Sequence, residues 1–342
     1  MQTSISPIEE IINSAKLGKP FILIDEEDRE NEGDLVIPSE FVTEENIAFM
    51  LRHCSGIICL TITKQRADLL ELSPMVVNNR SAFSTPFAVS IEAKTGITTG
   101  VSAKDRARTI ALATAKNASK DDIVSPGHIF PLIAKDGGVL VRAGHTEASI
   151  DICKLAGLSG FAVICEMMNE DGTMSRLPEM IEFAKKYDIK IGTISDLIEY
   201  RRRTEKLLIK TFETVLQDGS KLLTFKEKHE DLEHFAIIKG DLTKAVVRIQ
   251  SFNLFDELTG GVQLDLLPKL KLKYEDLVFI VINNGRNWNA QEKNVKDYGK
   301  GAEILKHIGL TNIKLLTHKV GRNFTGISGF GIKIEDEILL EL

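Results

Sequence analysis

The chain has 342 residues, 43% hydrophobic and 27% charged, enough for two ordinary cores and typical of a soluble globular protein. A net charge of −6 at pH 7 argues against nucleic acid as the main partner, since a phosphate backbone needs a basic face and the densest basic run is only Arg201-Arg202-Arg203. The four cysteines, Cys54, Cys59, Cys153 and Cys165, form no C-x-x-C pair and read as reduced thiols, neither a disulfide framework nor a thiolate zinc site.

The first twenty residues lack the basic flank and apolar core of a secretion signal, and no later apolar run approaches bilayer length. A cytoplasmic protein without a membrane partner is expected. Ser6-Pro7 opens a helix with Ile8, Ile11, Ile12 and Ala15 at helical spacing, stopped by Gly18 and Pro20. A strand over 21–25 then empties into DEEDRENEGD, Asp25 to Asp34, with seven acids and one arginine in ten residues. Two unit charges about 4 Å apart repel by roughly 4 kcal/mol at an effective dielectric near 20, so the run needs solvent, Arg29 or a cation to answer it. A solvated charge run is one reading. The other turns Glu30, Glu32 and Asp34 inward toward a hard divalent cation or a polyol, around a tight loop at Asn31 and Gly33.

A strand resumes at Val36 and Ile37, and 44–53 reads as a helix with Ile47, Met50 and Leu51 inward. The β-branched run 55–63 suits a strand covered on both faces, with Cys59 as a small buried residue. The Gly/Thr-rich stretch 95–106 opens a helix with Ser102 as N-cap and Asp105 three residues on, approaching a capping box. Its backbone amides and hydroxyls suit a sugar or phosphate, and equally a plain capped turn. His128 stands between Pro126 and Pro131. Residues 139–141 read as a strand ending at Arg142, with His145 and Thr146 starting a helix that runs to about Ala156. A helix N-terminus beside an arginine is a ready anion seat, here next to an imidazole. The apolar strand 161–168 carries Glu166, which is costly there unless partnered, through either a structural salt bridge or a catalytic role. Helices over 178–187 and 195–203 close this half. Beyond residue 205 the segments 207–216, 222–226, 235–239 and 246–251 read as strands of an antiparallel sheet, followed by a buried strand over 277–282, a helix over 301–307 and a strand over 313–317.

Six motifs now stand in order: DRENEGDL (28–35), HCSGIICL (53–60), TGITTGVSAKDR (95–106), PGHIFPL (126–132), RAGHTEA (142–148) and CEMMNEDGTM (165–174). With these the first 200 or so residues closely resemble the 3,4-dihydroxy-2-butanone 4-phosphate synthases, which convert ribulose 5-phosphate into that four-carbon phosphate and formate. The resemblance implies Glu30 and His145 as ligands of Mg2+ or Mn2+. It implies Arg29, Glu30, Asp34, Arg142, Ala143, Gly144, His145, Thr146 and Glu166 as substrate-binding residues, and His128 and Glu166 as the catalytic pair. It also implies a homodimer.

The remainder resembles GTP cyclohydrolase II, most clearly at DYGKGAEILKHIGLTNIKLLTHK, 297–319. That family's R-V-H-S-E-C segment reads Arg248-Ile249-Gln250-Ser251-Phe252-Asn253 here, its later C-x-C pair has no counterpart, and its Asp-x-Arg aligns with Asn294-Val295-Lys296. A hydrolytic zinc needs about three protein ligands, so no zinc is expected. The expected architecture is an α/β (α+β) two-domain protein, with a three-layer α-β-α synthase domain over 1–203 and a mixed, strand-rich cyclohydrolase II-like domain over 204–342, catalytically inactive. The alternatives are a bifunctional enzyme that also hydrolyses GTP, or a C-terminal half serving as a non-catalytic interaction module.

Overall fold

The computed structural model describes residues 5–229, 231–252, 265–283, 293–318, 321, 327 and 331–340. It divides into two compact units, Met1–Arg201 and Arg202–Leu342.

In the first unit short apolar runs form β1 (Phe21–Ile24), β2 (Gly33–Pro38), β3 (Cys59–Ile62), β4 (Ile91–Ala93), β5 (Ile123–Ile133), β6 (Ala162–Glu166) and β7 (Lys190–Thr193). They make one mixed sheet in the order β4-β5-β3-β6-β2-β1-β7. The α-helices of this unit are α1 (Ile8–Lys16), α2 (Glu44–His53), α3 (Lys64–Leu69), α4 (Ala103–Thr114), α5 (His145–Leu155), α6 (Leu177–Tyr187) and α7 (Ile194–Thr204). The period-2 alternation of a strand decides which face meets which helix. Ile22, Leu35, Ile37, Leu60, Val163 and Cys165 pack with Ile47 and Met50 of α2, Ile110 and Ala113 of α4, and Met180 and Ala184 of α6. The intervening residues Leu23, Val36, Cys59 and Ile164 pack with Ile8 and Ile11 of α1, Ala148 and Ile152 of α5, and Ile194 and Leu197 of α7. The result is the expected three-layer α-β-α arrangement.

Four details differ from the sequence expectation. Leu51 is 38% exposed, because α2 turns only Ile47 and Met50 fully inward. Ser6 does not cap α1, whose N-cap is Pro7 and makes no side-chain cap bond. The strand begins at Cys59, since Ser55 takes a positive φ of 63° and breaks the extended run. Residues 139–141 are not a strand. Gly137 and Gly138 have φ of 92° and 64°, and a short 3-10 helix, Gly138–Leu140, takes its place.

The second unit is another seven-stranded sheet, built from β8 (Leu208–Val215), β9 (Lys221–Glu227), β10 (Glu233–Lys239), β11 (Val246–Phe252), β12 (Leu277–Asn283), β13 (Asn312–Thr317) and β14 (Lys333–Leu339) in the order β14-β13-β11-β12-β10-β9-β8. The sheet is mixed, as expected, but the antiparallel reading of the segments from 207 to 251 fails at the last of them, β11, which runs parallel to both β12 and β13. Parallel neighbours need crossover connections. The described helices α8 (Leu266–Lys273) and α9 (Lys293–His307) cover opposite faces, Leu266 and Leu270 packing on Phe279, and Ala302, Ile304 and Leu305 on Val278 and Ile280. Asn253 lies outside the described residues, as do 284–292 and the side chains of Asn294, Val295 and Lys296.

Candidate active site

The acidic stretch between β1 and β2 splits in two. Glu26, Glu27 and Asp28 are exposed, whereas Glu30 and Glu32 are half-buried and Asp34 is 3% exposed. Asp25 shapes the turn: its carboxylate accepts the backbone N–H of Glu30 at 3.0 Å and of Glu32 at 2.8 Å, and pairs with Arg29 at 2.7 Å. Arg29 also pairs with Glu30 at 2.7 Å, and its guanidinium lies 5.5 Å from the centre of the Phe83 ring. From the start of α6, Arg176 donates to the carbonyls of Glu30 and Asn31, fixing the far side of the loop.

Sheet register does the rest. β2 and β6 are antiparallel with Asp34 opposite Glu166, so two acids share one end of one face. The Glu166 carboxylate accepts the Ile57 N–H at 2.8 Å. Gly56 must lack a side chain, since a Cβ there would sit 2.4 Å from the Glu166 carbonyl oxygen and 2.6 Å from its Oε2. On the same face α5 begins at His145, after Gly144 as N-cap. The His145 Nδ1 lies 3.7 Å from Glu30 Oε2.

The electrostatics follow from this crowding. Burial, reinforced by Glu166, Glu30 and Glu32 and opposed by His145, pushes Asp34 up to about 7. For His145 burial pulls the other way, yet the carboxylates of Asp34, Glu30 and Asp25 prevail and raise it to about 9. Burial works to raise Glu30, but His145 and Arg29 hold it below its usual value. Glu32 is raised by burial and by the charge of Glu30.

This set fits a hard divalent cation. Donor atoms of Asp25, Glu30 and His145 lie within 4.8 Å of one another, and the buried His145 Nε2 has no hydrogen-bond partner among the described residues. Both Asp25 oxygens already serve the loop backbone, so Glu30 and His145 are the better ligand pair.

Arg142 is less free than an anion seat suggests. It pairs with the fully buried Glu147 at 2.7 Å and donates to the Phe83 carbonyl at 3.1 Å, while Glu147 also takes the Lys135 N–H at 3.0 Å. A Cβ on Gly144 would fall 2.3 Å from Arg142 Nη1, so a larger residue there would have to displace the guanidinium. Ala143 is exposed and Thr146 buried beside it at the helix start. Together these place the N–H groups of the first turn of α5 next to Arg142 and the acid cluster. Behind them the buried Arg201 pairs with Asp151 at 2.7 Å and donates to the Gly137 carbonyl at 2.8 Å, and Asp151 accepts the Val139 N–H at 2.8 Å.

Arg29, Glu30, Asp34, His145 and Glu166 are thus brought together, with Arg142, Ala143, Gly144 and Thr146 alongside. His128 is not in contact with them. Cys59 pairs with both Phe130 and Ile164, so β3 lies between β5, which carries His128, and β6, which carries Glu166. The His128 ring pairs instead with Glu92 at 2.5 Å. Sequence reasoning singled out none of Asp25, Gly56, Glu92, Glu147 or Arg176. The signal that picked Glu166, an acid inside an apolar strand, is present for Glu92 in Ile91-Glu92-Ala93, but only three residues long.

A three-layer α/β unit with a carboxylate and imidazole cluster at a helix N-terminus has the donors to hold a divalent cation beside an anionic substrate, as a metal-using enzyme needs. The chain belongs to the 3,4-dihydroxy-2-butanone 4-phosphate synthase family, whose model matches residues 9–200, and residues 283–339 match the model of GTP cyclohydrolase II. A synthase of that name from Photobacterium phosphoreum is 40% identical, the alignment covering 98% of this chain and 99% of that one. The crystal structure of RibBX, a two-domain synthase from A. baumannii, matches with a TM-score of 0.79 at 38% identity, covering 97% of this chain and 99% of that chain. A synthase solved in complex with two magnesium ions matches with a TM-score of 0.56 at 39% identity, covering 58% of this chain and 98% of its own. Among the described residues no helix is long and apolar enough to cross a membrane.

Proposed function

We propose that this chain converts D-ribulose 5-phosphate into 3,4-dihydroxy-2-butanone 4-phosphate and formate, within residues 1–203. The observation that carries the reading is the cluster of buried Asp34 and His145 with half-buried Glu30 and Glu166 at the N-terminus of α5. Glu30 and His145 hold Mg2+ or Mn2+. To act as a ligand His145 would have to be neutral, which would make metal binding proton-linked. When bound, the cation supplies Lewis acidity toward the substrate's oxygens.

The chain's own groups do the remainder. Arg142 and the amides around Gly144 and Thr146 face the phosphate, with Arg142 aimed by Glu147. Asp34, buried and raised, meets the sugar hydroxyls as a neutral donor below pH 7 or so and as an acceptor above it. Arg29 steadies Glu30 and contributes a further donor to the substrate. Glu166 and His128 carry protons during enolisation, dehydration and rearrangement. The water lost on dehydration returns when one carbon leaves as formate, so five carbons in give four and one out with no net water. A cytoplasmic homodimer is the assembly in which we place the reaction.

Residues 204–342 form a GTP cyclohydrolase II-like unit that we read as binding no zinc and hydrolysing no GTP, because Asn253 stands at the first thiolate position of that family. The test is a formate assay with ribulose 5-phosphate and Mg2+, run on the protein and on Glu30→Gln and His145→Ala. Turnover should vanish and metal affinity weaken in both variants with circular dichroism unchanged. Retained turnover with unchanged metal titration would remove the assignment.

A further inference from the structure

His128 is assigned above to proton transfer, yet nothing in that assignment says which ring nitrogen does the work or what keeps the ring in place. The neighbourhood answers both. Glu92 sits on β4, whose residue Ile91 pairs with Ile129 of β5, and its side chain is only 9% exposed while that of His128 is 43% exposed. Glu92 Oε2 lies 2.5 Å from His128 Nδ1 and also accepts the His128 backbone N–H at 3.2 Å. The carboxylate therefore grips the residue twice. Its other oxygen is 3.2 Å from Thr109 Oγ1 on α4, and that hydroxyl in turn accepts the Ala93 N–H at 3.0 Å.

The Gly/Thr-rich loop supplies the fourth wall. Gly100 has a φ of 86°, and a Cβ there would fall 2.0 Å from Glu92 Oε2, so the loop backbone closes directly on the carboxylate. Asp105 holds that loop shut by accepting the N–H groups of Thr98 at 3.1 Å and Gly100 at 3.0 Å. Asp105 thus spends its carboxylate on the loop, where the sequence suggested a reciprocal capping box. The stretch 95–106 is a frame around Glu92.

From this geometry we propose that Glu92 is the positioning residue of His128, holding its imidazole with the proton on Nδ1 so that Nε2 faces the substrate as the proton-accepting atom. A carboxylate can only accept, so Nδ1 must donate to it, which leaves the lone pair of a neutral ring on Nε2. The ring is exposed where it must meet substrate and its partner is sheltered where it must not be displaced. The inference rests on the assignment of His128 to proton transfer.

The test uses the full-length protein with Mg2+ and ribulose 5-phosphate, plus 15N NMR of protein labelled at histidine, which reads the tautomer without turnover. His128 should carry its proton on Nδ1, and in Glu92→Ala that signal should pass to Nε2. In Glu92→Ala kcat should fall by about a hundredfold with KM changed by less than about threefold, the usual range for losing one general acid–base contribution. Glu92→Gln retains a carbonyl acceptor and should recover part of that loss. Combined with His128→Asn, Glu92→Ala should cost nothing further, because the two act as one unit. An Nε2-protonated His128 in the unmodified protein, an additive loss in the double variant, or full kcat in both Glu92 variants would overturn the proposal. If Glu92→Ala loses its native circular dichroism, Glu92→Gln alone carries the kinetic arm. Full turnover in His128→Asn would instead refute the proton-transfer assignment, and the NMR arm would still decide whether Glu92 sets the tautomer.

Discussion

Glu166 shows how little freedom a working side chain has here. Its carbonyl and carboxylate oxygens both press on Gly56, while the Ile57 N–H fixes the carboxylate from the same turn. Gly56→Ala cannot be accommodated by a side-chain swing alone, since two of the three close atoms belong to the β6 backbone. We expect that variant to lose stability by about 1–3 kcal/mol, as overpacking does, and to lose formate release more than its stability loss explains. Glu166→Gln keeps shape and anchor and should lose two orders of magnitude or so in kcat while calorimetry still shows substrate binding. Equal loss of binding and rate would make Glu166 a holder of substrate and not a mover of protons. The sequence made Glu166 visible because an acid in a long apolar strand is costly. It hid Glu147, which reaches back around the Gly144 N-cap of α5 to pair with Arg142, and so Arg142 read as a bare anion grip when it already has a carboxylate.

At the level of elements, the strands and helices framing the site were legible because their apolar periods are clean, and what failed was long-range pairing. Arg201 belongs to a run that reads as an exposed helix end, yet α7 turns it inward to Asp151, fifty positions away, where it seats the turn before α5. The second unit repeats the pattern between α9 and β8. Glu303, 7% exposed, accepts the Leu208 N–H at 2.8 Å, and burial raises its pKa above the usual carboxylate value, with that backbone bond opposing. A raised carboxylate in the folded state binds its proton more tightly than the unfolded chain does, so its cost to stability grows as pH rises past the unfolded value. Glu303→Gln keeps an oxygen for Leu208 and removes the ionisation. Its thermal midpoint relative to the unmodified protein should therefore be higher at pH 8 than at pH 4.5, read by differential scanning calorimetry. A difference that does not change with pH would show that Glu303 ionises as easily folded as unfolded.

At the scale of the whole molecule, each of the four buried clusters among the described residues draws its residues from one unit, two on the opposite faces of each sheet. A unit that buries both faces of its own sheet has what it needs to fold alone. The match to a solved synthase that aligns over 98% of its own length with 58% of this chain gives the first unit a free-standing counterpart. All the residues we assign to the reaction lie before α7, whose last residue is Thr204. A chain ended after Glu205 should therefore fold, bind Mg2+ and release formate from ribulose 5-phosphate with kcat within about threefold of the full chain, the margin expected when a neighbouring domain contributes no catalytic group. The full chain, offered GTP under the same conditions, should give no GTP-derived pyrimidine, and elemental analysis should find no stoichiometric zinc. A truncated chain with native circular dichroism but little turnover would show that residues 206–342 act on the synthase site, and one zinc per chain would restore a hydrolytic reading of the second unit.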